Sequence, residues 1–300
     1  MNNVVANHIW EQISSLRGEV RAEFCLSQGI EAYKSQNYEA SVVLCGAAID
    51  IFQKIDTSSK YSEILSAYSF LSYSLMKLKR FKEAACLSVF ASNFLYKFNE
   101  HDGRDAFEFA ADCFSQSGDF KDAIAIYEFL INESLSVNSN EEFAKLYFEV
   151  AYCYQELEIY SVAIDNYVAS RKIYLVEENP KMIAYIDEEL SLCHHLLGQN
   201  HEAAKYAQLA LDYAILMNDR YRLRYSHHRM GLAKLAKNEL DRALEHLRRA
   251  KQLATTESDP DWQFIVENEE KIALIFEIKG ANSEAKAIRN RILTIKSGTR

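Results

Sequence analysis

The sequence predicts an all-α protein, an α-solenoid of about seven stacked helical hairpins. Three observations carry that expectation. A short turn motif recurs about every 40 residues along the 300-residue chain. Apolar residues follow a helical period on both sides of each turn. Glycine and proline number only 9 and 2, too few for a β fold built on tight turns.

The turn motif reads Gly118-Asp119-Phe120-Lys121-Asp122-Ala123, then Glu158-Ile159-Tyr160-Ser161-Val162-Ala163. Gly198 to Ala203 and Asn238 to Ala243 repeat it, Lys79 to Ala84 precedes it, and Gly280 to Ala285 closes the series. A weaker copy runs from Gln36 to Ser41. The final residues of these segments are spaced by 43, 39, 40, 40, 40 and 42 positions. Cys113, Cys153 and Cys193 keep the same step. Such a metronome is the mark of a repeat rather than of a disulfide framework. The six cysteines are expected to be reduced packing residues.

Before the third turn, Phe107, Ala110, Ala111 and Phe114 fall at i, i+3, i+4 and i+7. After it come Phe120, Ala123, Ile124, Tyr127 and Leu130. The fourth unit repeats the pattern with Tyr147, Val150, Ala151 and Tyr154, then Tyr160, Ala163, Ile164 and Tyr167. Each hairpin has one apolar stripe that it cannot bury alone, so stacked neighbours must share a core. Pro180 and Pro260 stand at equivalent links between hairpins, where proline stops one helix and fixes the exit of the chain.

Phe107, Ala111, Phe114, Gly118, Phe120, Ala123 and Tyr127 match the tetratricopeptide-repeat pattern, as do Gly231, Ala243 and Ala250, and Ala203 and Ala210. The chain resembles that family over residues 22–293, which implies a right-handed solenoid of about seven hairpins. The step is longer than the family's usual figure of about 34. Long units of this kind are similar to those of bacterial peptide-pheromone receptors of the Rap type and of kinesin light chain. The bacterial receptors carry a helix-turn-helix or a three-helix bundle ahead of the repeats. About 20 residues precede the first hairpin, room for neither. Residues 1–21, with Ile9, Trp10, Ile13 and Leu16 as a stripe, are expected to form a capping helix, and 294–300 a tail.

The net charge of −9 argues against direct nucleic-acid binding. No apolar run approaches the roughly 20 residues of a membrane span, and the first residues do not form a signal peptide, so a cytoplasmic protein off the membrane is expected. Phosphate-cradling loops, HExxH and GxSxG motifs are missing. His194-His195 and His227-His228 are adjacent pairs whose members diverge on a helix, so no metal site and no cofactor is expected. The doublets Glu141-Glu142, Glu177-Glu178, Glu188-Glu189 and Glu269-Glu270 are expected on solvated helix faces. No motif points to an enzyme.

The resemblance implies that the face of each first helix opposite its core stripe lines a concave groove that holds extended or helical peptides. In the middle of the chain that face carries Asp105, Glu108, Asp112, Phe148, Glu149, Tyr152, Glu156, Tyr185, Glu188, Glu189 and His195, followed by Tyr225. Carboxylates outnumber cations there, and ionised carboxylates only accept hydrogen bonds. The expected partner is therefore a peptide or protein that is basic or has a free amino terminus. A regulatory receptor or adaptor follows. The alternative is a static scaffold that docks through its convex side or through the basic segment 220–251. The sequence also leaves room for a homo-oligomer.

Overall fold

The computed structural model describes residues 13–14, 16–55, 59–133, 140–256 and 260–298. Among them run fourteen helices with defined bounds, and no strand. The chain forms two compact units, Met1–Ser136 and Val137–Arg300. The first unit holds three hairpins: α1 (Gly18–Lys34) with α2 (Tyr38–Phe52), α3 (Tyr61–Lys77) with α4 (Phe81–Leu95), and α5 (Glu100–Ser117) with α6 (Phe120–Glu133). The second holds four: α7 (Asn140–Glu156) with α8 (Tyr160–Val176), α9 (Pro180–Leu196) with α10 (Asn200–Leu216), α11 (Arg220–Ala236) with α12 (Leu240–Thr255), and α13 (Trp262–Ile278) with α14 (Asn282–Gly298). The fold is thus an all-α solenoid of helical hairpins, as the repeat predicts. No helix among the described residues is long and apolar enough to cross a membrane.

Most of the expected capping helix lies outside the described residues; of its stripe, Ile13 is buried. Helix α14 continues to Gly298, into the segment expected as a tail.

Every hairpin turn closes in the same way. One residue takes a left-handed conformation, and the next N–H reaches back to a carbonyl five residues earlier. Asp119 N donates to Phe114 O at 2.9 Å, Ile159 N to Tyr154 O at 2.9 Å, and Gln199 N to His194 O at 2.8 Å. Gly118, Gly198 and Gly280 supply the left-handed residue in three turns; Gln36, Lys79, Glu158 and Asn238 supply it in the others. The first helices start on side-chain caps where Asn99, Asn179, Asp219 and Asp261 stand at the N-cap. Pro180 opens α9, and Pro260 immediately precedes the cap of α13.

The core is built on small residues. Ala84, Ala123, Ala163, Ala203 and Ala243 are fully buried at the start of the second helices. Ala111, Ala151, Ser191, Gly231 and Ala273 of the first helices are buried too, and Ser191 Oγ donates to Ala203 O at 2.9 Å. A Cβ on Gly231 would stand 2.6 Å from Leu247 Cγ, and one on Gly29 would stand 2.6 Å from Cys45 Sγ, so the helices touch there through glycine. Cys113, Cys153 and Cys193 are buried, and burial pushes the thiols of Cys113 and Cys193 up to about 12. Cys113 and Cys193 therefore stay thiols, without thiolate chemistry.

The turns and the core can each be tested by substitution. Gly118 has φ 85° and open space around its missing Cβ, so Gly118→Ala adds only backbone strain. It should destabilise by about 1 kcal/mol in urea unfolding, while Glu158→Gly, at φ 60°, should be neutral or stabilising. Arginine in place of Ala123, Ala163 or Ala243 should overpack the contact and remove at least about 1–3 kcal/mol. An unchanged melting curve would contradict the helix register in which these alanines face the neighbouring helix.

Candidate functional site

In the N-terminal unit, α5 carries the three expected carboxylates. Asp105 is exposed and lies 3.2 Å from His101 Nδ1. Glu108 is half-buried. Asp112 is turned into its own hairpin and accepts from Tyr127 Oη at 2.5 Å. Between α3, α4 and α5 lies a cavity of about 250 Å³, lined by Ser72, Tyr73, Ser88, Asp102, Asp105 and Phe109 among others. Tyr73 and Phe109 meet edge to face at 5.0 Å across its rim. Sequence reasoning missed Tyr73, which lies one hairpin before the segments from which the groove was assigned.

In the C-terminal unit the first helices α7, α9, α11 and α13 present the remaining residues. Glu149, Tyr152 and Glu189 are half-buried and Glu156 is exposed. Burial first, and then the charges of Glu156, Cys153, Glu149 and Glu189, hold the Tyr152 hydroxyl above its ordinary range, so the field of three carboxylates reaches it. Burial, Glu189 and Glu149 likewise push Tyr185 up to about 12, against the opposing charge of Arg222. Gln155 Nε2 donates to Glu189 Oε2 at 3.0 Å and ties α7 to α9.

Two expected lining residues are not accessible. Phe148 is 7% exposed and packs against Tyr167 and Tyr185, at 5.4 and 5.1 Å between ring centres. It belongs to the core because its side of α7 faces the neighbouring hairpin. Glu188 is 3% exposed, and its carboxylate is already taken. Arg222 Nη1 donates to Oε2 at 2.9 Å and Ser226 Oγ to Oε1 at 2.8 Å. The same guanidinium lies 4.2 Å above the Tyr185 ring. Solvated doublets are therefore the wrong description at two places. Glu269, like Glu188, is buried, and it is held by Lys251 at 2.9 Å and by Arg291. Glu141, Glu142, Glu177 and Glu178 are exposed as expected.

Further along, Tyr225 stands 5.0 Å from both Tyr221 and Phe264, with the Arg224 guanidinium 4.8 Å from its ring. His195 is half-buried; burial first, then Lys271, Arg229 and His228, depress its pKa. The face therefore changes sign along the C-terminal unit, from carboxylates on α7 and α9 to cations on α11 and α13. From the sequence Arg222 and Arg229 were read only as part of the basic segment 220–251, and Lys271 was not singled out. Glu149, Glu189, Arg229 and Lys271 occupy one repeat position, at steps of 40, 40 and 42, and reading that position through to the last hairpin would have found the last two.

Burial pushes the Glu188 carboxyl up to about 7, against the pull of Arg222 and Ser226, from an ordinary 4.5. The folded protein thus holds a proton there more tightly than the unfolded chain does. Stability from this group rises as the pH falls from about 7 toward 4.5. Across that window wild type should gain up to roughly 3 kcal/mol relative to Glu188→Gln. Parallel urea unfolding curves for the two proteins at pH 8 and pH 5 check this.

No protein-family model and no curated protein matches the sequence. Solved structures do resemble the fold. The crystal structure of a Rap protein complexed with competence and sporulation factor matches with TM-score 0.60 and 13% identity, over 92% of this chain and 77% of that one. BtubC (BKLC) from P. vanneervenii matches with TM-score 0.63 and 18% identity, over 74% of this chain and 92% of its own. A signal-transduction ATPase from Pyrococcus horikoshii with a tetratricopeptide-repeat sensor, PH0952, matches with TM-score 0.69 and 14% identity, over 92% of this chain and 42% of its own. The stacked hairpins, the small-residue contacts between them and these likenesses give this chain the tetratricopeptide-repeat fold.

Proposed function

We propose that this protein is a non-catalytic receptor or adaptor that binds a peptide or an extended protein segment along the first-helix face of hairpins four to seven. The observation that carries this reading is the half-buried cluster of Glu149, Glu189 and Tyr152, joined by Tyr185 and by the exposed Glu156. Carboxylates gathered around aromatic rings suit a cationic side chain or a free amino terminus. Coulomb attraction in water is only about 1 kcal/mol per pair at 4 Å, so the rings supply much of the affinity. The Rap structure that shares the fold is complexed with competence and sporulation factor, which supports a binding role for a solenoid of this kind.

A second reading, a scaffold that docks through another surface, is favoured by one feature of the C-terminal unit. Leu175 and Val176 at the end of α8, and Ile215, Leu216 and Met217 at the end of α10, are all exposed, Leu216 by 79%. Equivalent apolar residues on neighbouring hairpins form an edge suited to protein contact.

Capture of randomised, acetyl-capped octapeptide pools by the immobilised protein separates the two readings. Pools with a fixed lysine should be retained about tenfold better than matching pools with glutamine. Glu149→Lys combined with Glu189→Lys should abolish that preference, and Glu141→Lys with Glu142→Lys, on the solvated end of α7, should not. A preference that survives the first pair of substitutions places the ligand elsewhere.

A further inference from the structure

Adjacent histidines diverge on a helix, as the sequence predicts, but one of them finds a partner across its own hairpin. His228 turns toward α13, with Nδ1 3.1 Å from Asn268 Oδ1 and Nε2 3.3 Å from Glu267 Oε1. His227 turns toward α12, where its Nδ1 lies 3.0 Å from Nδ1 of His246. The ring centres are 5.2 Å apart and the planes are inclined at 41°, so the rings meet nitrogen to nitrogen and do not stack. Both are half-buried.

A hydrogen bond between two Nδ1 atoms needs one proton and one lone pair, so at least one ring is neutral. Neutral imidazole is also the form that ligates metal ions. Two nitrogens bound to one ion at about 2.0–2.1 Å stand about 2.9 Å apart at a right angle and about 3.3 Å apart at the tetrahedral angle. The observed separation of 3.0 Å falls between these values. Both rings line a cavity of about 590 Å³, together with the exposed Asp241, Glu245, Arg248 and Arg249. The two guanidiniums have other contacts: Arg249 Nη1 donates to Gln252 Oε1 at 2.7 Å, and Arg248 lies 5.8 Å from the Phe276 ring. Asp241 pairs with Lys279, while Glu245 stands beside His246 in the chain. Among the described residues no group of three histidine, cysteine or carboxylate side chains is assembled for a metal, so the protein's share here is the two imidazoles.

We propose that His227 and His246 form an open two-imidazole site for a divalent transition-metal ion, copper(II), nickel(II) or zinc(II), which clips α11 to α12 in the sixth hairpin. Imidazole suits all three ions, water completes the coordination, and copper(II) is held tightest. The ring that carries its proton on Nδ1 takes it on Nε2 instead, and both Nδ1 lone pairs then serve the ion. The site is independent of the peptide-binding reading, since it lies within one hairpin and uses none of the residues placed there.

The test uses tag-free, full-length protein dialysed against copper(II), nickel(II) or zinc(II) chloride alone at about pH 7.5, where an imidazole of ordinary pKa is mostly neutral. One bound equivalent is expected. His227→Gln and His246→Gln should each weaken it about tenfold or more, and His201→Gln, at an exposed histidine, should leave it unchanged. The electron paramagnetic resonance spectrum of copper-loaded wild type should show two coupled nitrogens. An ion held only by the folded pair stabilises the fold, so it should raise the melting temperature of wild type and not that of His246→Gln. Absence of stoichiometric binding overturns the site, and so does a copper spectrum with fewer than two nitrogens, which needs no variant. Affinity unchanged in a folded His246→Gln protein, or lost in His201→Gln, puts the metal on other histidines and also overturns it.

Discussion

The close contact between helices at small side chains is the constraint on which the rest depends. Ala163, Ala203 and Ala243 leave no room for a larger group, and Gly231 leaves none even for a methyl. Helices held this near can pack in only a narrow range of registers. A repeat of about 40 residues then places equivalent side chains in columns within each compact unit. A column can be filled with core residues, such as the buried cysteines, or with charges, such as the four that run from Glu149 to Lys271. The charge of a column can thereby change on a scaffold whose own contacts need not.

The two units satisfy their interiors differently. In the N-terminal unit, serines bond to one another between helices: Ser72 Oγ lies 3.1 Å from Ser88 Oγ, and Ser74 Oγ donates to Ser41 Oγ at 2.9 Å. In the C-terminal unit, ion pairs are buried between hairpins and within them. Arg171 grips the fully buried Asp187, Arg222 the buried Glu188, and Lys251 with Arg291 the buried Glu269. Such pairs add little net stability against apolar substitutes, but breaking one leaves a stranded charge that destabilises by about 3–5 kcal/mol. They disfavour any other stacking register of these helices, because a shift would unpair all of them.

The fold was legible because its signals are local and repeated. The turns at Gly118, Gly198 and Gly280 announce themselves, and the alanines that follow each turn fix the register. Even Lys79 and Glu158, with no glycine to mark the left-handed residue, were found from the spacing of their neighbours. The face was legible only in part. Helical phase puts Glu149 and Tyr152 on one side of α7 and Glu189 on the matching side of α9, but it cannot separate an accessible residue from one at the edge of the core, and so Phe148, which is buried, was misassigned. Partners from the next hairpin are not visible in a single helix pattern either. Arg222, which neutralises Glu188, belongs to a different hairpin and to a segment taken as an independent basic surface. Arg229 was likewise taken into that basic surface rather than into the column of Glu149, and Lys271 was missed because hairpins six and seven were read for their apolar residues.

Hydrogen–deuterium exchange with a retained peptide tests the central claim most directly, because it reports every helix at once. If the ligand lies on the first-helix face, peptide-dependent protection should concentrate in α7, α9, α11 and α13. Protection confined to α8, α10 and α12, or to the exposed ends around Val176 and Leu216, would contradict it and move the binding surface to the opposite side of the hairpins.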